Sequence, residues 1–196
     1  MHCNARRVPA ADLSGSGPGA GAIDGQTAPF DWPHAAAAGL SFRRVGACDE
    51  PFLFRVYAST RTEELAPLGW SEEEKAEFLG KQARAQHSEY RLRFADADFL
   101  VIEQGGADIG RLYLERRERT HHIVDIALLP EWRGKGLGQA LLGDLLDEAG
   151  RAGKAVSIHV EKFNPAMRLY QRLGFEKIED RGVYDLMQSK SPAPVR

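Results

Sequence analysis

"LLPEWRGKGLGQALL", residues 128–142, decides how the rest of the chain is read. An apolar run ends at Pro130. A short loop follows, carrying Arg133, Lys135 and the glycines Gly134, Gly136 and Gly138, and then a leucine-rich segment with helical spacing. No Ser, Thr, Asp or Asn stands where it could cap that helix. The first backbone N–H groups of a helix have no partner inside it, and the N-terminus carries roughly half a positive charge. Glycines let a ligand approach the backbone closely. Together these make an anion cradle suited to a pyrophosphate, in which the ligand caps the helix. A glycine-rich turn capped by water is the simpler alternative.

Two other nucleotide-binding patterns do not fit. A P-loop needs Lys-Ser or Lys-Thr after its last glycines, whereas Gly138 is followed by Gln139 and Ala140. A dinucleotide fold opens a βαβ series with its glycine loop, whereas this loop comes late, after a pattern that reads as a hairpin.

The 196 residues suffice for one ordinary domain. Their 26 Lys and Arg against 28 Asp and Glu give a net charge of −2, and so no bulk attraction for nucleic acid or an anionic membrane. The two cysteines, Cys3 and Cys48, do not suggest a disulfide framework, which fits a reduced cytoplasmic setting. No apolar run approaches the ~20 residues of a membrane span. No apolar segment follows Arg6 and Arg7, so the N-terminus does not read as a signal peptide.

"ADLSGSGPGAGAIDGQTAP" is rich in Gly, Ala, Pro and Ser and buries too little apolar surface to offset its ordering entropy. Residues 1–38 are therefore expected to be a flexible extension, with a helical turn at "HAAAAG". Residues 39–190 form the domain and 191–196 a short tail. "LSFRRV" alternates as a strand. Asp49 and Pro51 open one helix, and Ser71 with Glu74 makes a capping box for a second. "DFLVIEQ", "ADIGRLYLERR" and "HHIVDIALLP" read as three strands, the first two joined at Gly105-Gly106. The glycine loop then leads into a helix to about residue 150. The strand "AVSIHVE", a short helix from about Asn164 to Arg172, and the strands "GFEKIED" and "GVYDLMQ" close the chain. The fold class is α/β, a mixed sheet with helices on its faces.

"PEWRGKGLG" resembles the signature of the GNAT superfamily of N-acyltransferases, through Arg133, Gly136 and Gly138. About 30 residues on, "IHVEKFNPAMRLYQRLGFEK" is similar to the family's next strand, helix and strand, with Asn164, Leu169-Tyr170 and Leu173-Gly174-Phe175 at the matching places. The resemblance spans residues 40–188. It implies a mostly antiparallel sheet of about six or seven strands flanked by about four helices. It also implies acetyl-CoA or another acyl-CoA as donor co-substrate, with the pyrophosphate on Arg133, Gly134, Lys135, Gly136, Leu137, Gly138 and Gln139. Ile126, Ala127 and Leu128 would meet the pantetheine and thioester in a gap between two splayed strands, and Asn164 would touch the cofactor. Tyr170 would be the general acid beside the CoA sulfur.

Acyl transfer to a lysine-like amine needs that amine neutral, at a cost of about 4.6 kcal/mol at pH 7, so a base is useful. His159 and Glu161 share one face of their strand and are the candidate bases. Asp125, His121 and His122 on the preceding strand are further candidates. The neighbouring histidines lack a third spaced ligand, so no metal is expected. Acceptor-binding candidates are Tyr57, Arg61, Glu64 and Asp125, with Glu63 and Trp70 near them. "ERRERTHH" mixes signs and reads as a solvated turn.

The main expectation is an N-acetyltransferase acting on a small-molecule or protein amine. The rival is a non-catalytic acyl-CoA binding or sensing module. Neither calls for nucleic acid or a membrane, and the resemblance admits a homodimer.

Overall fold

The computed structural model describes residues 30–190. Five helices and seven strands follow in the order α1 (Pro33–Ala37), β1 (Leu40–Arg44), α2 (Glu50–Leu65), α3 (Glu72–Arg93), β2 (Asp98–Gln104), β3 (Ala107–Arg116), β4 (Thr120–Leu128), α4 (Leu137–Arg151), β5 (Ala155–Glu161), α5 (Met167–Arg172), β6 (Phe175–Arg181) and β7 (Tyr184–Ser189). Local chemistry accounts for the boundaries. Ser71 Oγ accepts the Glu74 N–H at 3.2 Å and Glu74 accepts the Ser71 N–H at 2.8 Å, the expected capping box at the head of α3. α2 begins with Pro51 in its first turn.

The strands form one sheet in the order β1-β2-β3-β4-β5-β7-β6. Every neighbouring pair is antiparallel except β4 and β5, which α4 joins as a crossover. This is the mixed, mostly antiparallel sheet that the resemblance implied.

Alternation along the strands sorts their side chains between two layers. Leu100, Ile102, Leu112, Leu114, Ile123, Val156, Ile158 and Val160 enter the main core together with α1, α4 and α5. α4 contributes a helical stripe of buried residues, Leu137, Leu141, Leu142, Leu145 and Ala149. On the other face, Phe52, Leu53 and Val56 of α2 meet Val101, and Tyr90 and Phe94 at the end of α3 pack on Phe99 and Tyr113. Among the described residues no helix is long and apolar enough to cross a membrane.

The boundary expected at residue 38 is corrected for its last part. Residues 1–29, like 191–196, lie outside the described residues, but 30–38 are built into the domain. Trp32 is 3% exposed, stacks on Phe30 at 4.3 Å and meets Phe42 edge-on at 4.7 Å. Its Nε1–H donates to Glu148 of α4 at 2.7 Å. α1 has no cap of its own. The buried Asp144 of α4 accepts the His34 N–H on one oxygen at 3.0 Å and the Ala35 N–H on the other at 2.7 Å. Composition misled here because two aromatic residues and a borrowed cap offset the ordering cost of a segment that is otherwise mostly alanine.

Removing residues 1–38 should therefore lower the thermal midpoint by well over 10 °C. Trp32→Ala in the full chain should alone cost about 3–5 kcal/mol in urea unfolding. An unchanged midpoint in both variants would show that this packing is dispensable.

Candidate functional site

β4 and β5 pair over four positions only, from Thr120↔Ala155 to Ile123↔Ile158. Beyond that both continue, but apart. β4 stays with β3 as far as Leu128↔Gly110, and β5 stays with β7 as far as Glu161↔Tyr184. The parting coincides with a bulge: Leu114 pairs with Ile123 and Tyr113 with Asp125, leaving Val124 as the extra residue. A bulge bends its strand and raises its twist, so β4 turns away from β5 at the position where pairing stops. Val124 to Leu128, including Ile126, Ala127 and Leu128, then present backbone groups to an opening in the sheet.

Just past this strand lies the glycine loop. Gly134 and Gly136 have φ of +72° and +80°, a region that disfavours any residue with a Cβ. A Cβ built at either would meet nothing within 4 Å, so the loop's outer side is open. Gly136 heads α4, and no side chain caps the helix. Arg133 does not project freely at the mouth. Its Nε–H donates to the Leu128 carbonyl at 2.8 Å and its Nη2–H to Ser59 Oγ at 3.1 Å, tying the loop to β4 and α2. Lys135 lies 4.7 Å over the Trp132 ring. Leu137 is buried, while Gly138 and Gln139 form the first turn behind it.

Two residues from opposite faces bracket the opening. Tyr170, on α5, is 5% exposed and packs edge-on against Phe175 at 5.6 Å, within the α4–α5 core. Burial, then the field of the Asp125 carboxylate, raises its phenol well above the ordinary tyrosine range. Asp125 faces the other way. It stands opposite Tyr113, which packs beneath α3. Arg111 Nε–H and Nη2–H donate to its two oxygens at 3.2 and 2.9 Å. Tyr90 of α3 is likewise pushed up, by burial first and Asp125 second.

The remaining candidates divide. Glu161 accepts from Arg61 at 3.0 Å, and the same guanidinium holds Glu64 at 2.8 Å, so α2 is latched to the end of β5. Tyr57 is buried, and its hydroxyl donates to Gln82 at 2.9 Å, a contact that joins α2 to α3. His159 is exposed, its ring 5.3 Å from that of His122. Burial pushes the His122 imidazole down to about 3, and its Nδ1 lies 2.9 Å from Ser157 Oγ. His121 turns to the opposite face, 3.6 Å from Glu148, so the two neighbouring histidines share no site. Asn164 Oδ1 accepts the Ala166 N–H at 2.8 Å, turning the chain into α5. Among the described residues His34, Asp144 and Asp147 bring ligand-type atoms within 4.8 Å of one another, but Asp144 already spends both oxygens on α1.

Reading the sequence missed Arg111 and Gln86. The signal was present for Arg111: it is the lone charge inside the apolar stretch "IGRLYL", and a charge in a central strand is rare unless paired.

Residues 95–177 match the sequence model of the acetyltransferase (GNAT) domain. The uncharacterized N-acetyltransferase CgeE of Bacillus subtilis is 24% identical over 111 residues, 52% of this chain and 43% of that protein. The [ribosomal protein bS18]-alanine N-acetyltransferase of Haemophilus influenzae is 33% identical over 63 residues, 32% of this chain and 43% of that one. The chain thus spans less than half the length of these curated relatives. The crystal structure of PaiA N-acetyltransferase from Thermoplasma acidophilum, in complex with coenzyme A, shares the fold. Its TM-score is 0.59 at 19% identity, covering 77% of this chain and 98% of that one.

Gly110 sets how closely β3 approaches the open end of β4. A Cβ there would sit 2.4 Å from the Ala127 carbonyl oxygen and 3.1 Å from Leu128 Cα. Gly110→Ala should push that end of β4 outward and cost about 1–3 kcal/mol in urea unfolding. A midpoint equal to that of the parent chain would show that β4 yields freely.

Proposed function

We propose that this chain, whose residues 95–177 match the sequence model of the acetyltransferase (GNAT) domain, transfers an acetyl or related acyl group from acyl-CoA directly to a primary amine. One observation carries the reading: the sheet's single parallel pair parts just ahead of an uncapped helix N-terminus. An opening lined by free strand backbone suits an extended arm with amide groups, and an uncapped helix beyond it suits the diphosphate at the end of that arm.

In this reading the backbone N–H groups from Gly134 to Gln139 hold the pyrophosphate, with Lys135 above them. Arg133 acts at one remove, fixing the loop against Leu128. Ile126, Ala127 and Leu128 hold the arm and offer N–H donors to the thioester oxygen as it gains charge. Asn164 turns the chain so that α5 presents Tyr170 to the departing sulfur. A phenol raised by burial stays protonated at neutral pH and so has a proton to give to a thiolate. The amine arrives from the α3 face, past Asp125 and the Arg61–Glu64–Glu161 group. His159 and Glu161 lie on that side as well. The acceptor is a small-molecule or protein amine.

The experiment is a panel of amines with acetyl-CoA, scored by release of free CoA thiol. Release with at least one amine is expected. Calorimetric binding of acetyl-CoA without release by any amine would instead indicate a binding module. On the amine so identified, Tyr170→Phe keeps the ring and its packing and should lower kcat by about 10², the low end for a general acid, because water can partly replace the phenol. Acetyl-CoA affinity should stay within twofold. A parental rate in this variant would remove Tyr170 from the chemistry.

A further inference from the structure

We propose that Asp125 is the group that takes the proton from the acceptor nitrogen, and that Arg111, steadied by Gln86, is the residue that positions it. The inference rests on the acyl-transfer reading and assigns the step that reading leaves open.

The two faces of the sheet carry different groups. Tyr170 belongs to the α4–α5 face, where the cradle also lies. An amine attacking the thioester carbonyl from that face would compete with the CoA arm for the same space. It must come through the opening from the α3 face, and its proton must leave on that face. His122 also faces that side but is buried between Phe94 and His159, which leaves three acidic or basic side chains as candidates. Glu161 lies at the far end of β5, held by Arg61 and 3.5 Å from the Tyr184 hydroxyl. His159 lies on the exposed stretch of β5, its ring against His122. Asp125 follows the bulge residue Val124 and directly precedes Ile126, so it sits on the rim of the opening itself. Its carboxylate lies close enough to raise the phenols of Tyr170 on one side and Tyr90 on the other, in each case second to burial.

The carboxylate is also oriented as a proton acceptor must be. Arg111 engages both oxygens, which fixes the carboxylate plane, and the side chains are 6% and 14% exposed. Gln86 of α3 accepts from the same Nη2 at 3.2 Å, holding the guanidinium from a second side. The exposed part of Asp125 thus keeps its remaining lone pairs for an incoming N–H.

An ammonium acceptor first loses one proton to solvent. The neutral nitrogen forms a bond to the thioester carbonyl carbon, and the carbonyl electron pair moves to oxygen. The nitrogen, now positively charged and far more acidic, gives a proton to Asp125. The oxygen pair returns, the C–S bond breaks, and the sulfur takes the proton of Tyr170. Asp125 passes its proton through water in the opening to the Tyr170 phenolate. The net change is one amide, one CoA thiol and one proton released from the original ammonium.

Asp125→Asn keeps the shape, and its oxygen still accepts from Arg111. With the amine from the panel, its kcat should fall by about 10²–10⁴, while calorimetric acetyl-CoA affinity stays within twofold. Asp125→Glu, which retains the charge and is the fallback should the amide variant fold poorly, should lose at least tenfold. In Asp125→Ala, formate should restore part of the lost rate. Arg111→Lys keeps the charge but not the fork, and should lower kcat about tenfold in the parent and hardly at all in the Asp125→Asn background. Parental kcat in Asp125→Asn overturns the assignment. Equal losses from Arg111→Lys in both backgrounds overturn the positioning role, because an effect exerted through the Asp125 carboxylate must vanish when that carboxylate is gone. If the parent chain binds acetyl-CoA yet releases no thiol with any amine, the transfer reading itself fails, and this proposal with it.

Discussion

The site depends on one constraint: β4 and β5 each have a better partner on the far side. β4 remains hydrogen-bonded to β3 along its length, and β5 to β7, while their mutual pairing stops after four residues. Right-handed twist separates strands whose outer neighbours pull in different directions, and the bulge at Val124 adds a local bend. Closure would have completed the ladder and left no way through. What remains is a strand edge inside the protein, and such an edge is a liability unless something uses its donors and acceptors. The chain itself takes one of them, the Leu128 carbonyl, through Arg133.

The glycine loop inherits its position from the same feature. Leu129 still donates to Ile109 at 2.9 Å, so β4 is anchored to β3 up to the point where the loop begins. Arg133 then ties the loop both back to Leu128 and across to Ser59 on α2. The cradle at the head of α4 and the opening beside β4 are thus parts of one rigid unit. This is why a donor with a diphosphate at one end and a thioester at the other is the ligand proposed for it.

How much of this could be read from residues alone depends on the kind of pattern involved. Periodicity gave the elements: the Leu137–Ala149 stripe, the Ser71–Glu74 box and the glycine loop all express a local rule. The parting of β4 and β5 has no such rule behind it. "HHIVDIALLP" reads the same whether its second half is paired on one side or on two, because register is settled by neighbours distant in sequence. The bulge is hidden for the same reason, and with it the fact that Asp125, rather than Val124, stands opposite Tyr113. The strap at Phe30–Ala38 failed in another way. Its stability is borrowed from Asp144 and Glu148, more than a hundred residues away, and no local composition reveals a borrowed cap.

Two carboxylates, one buried and one half-buried, make the difference between structure and chemistry concrete. Burying a charge is costly unless its hydrogen bonds are made. Asp144 is 1% exposed and turns both oxygens to backbone N–H groups of α1. It has nothing left to offer, and its role ends with holding the strap. Asp125 also has both oxygens engaged, but by a single side chain, Arg111, with the rest of the carboxylate open at the rim of the sheet. In the proposed reaction the cost of burying an arginine secures orientation rather than fold. An apolar pair would fill the same space between β3 and α3 at no greater expense. A fold that needed only packing would have no use for a fixed carboxylate facing an opening. The expense makes sense if that carboxylate must meet something that enters from outside.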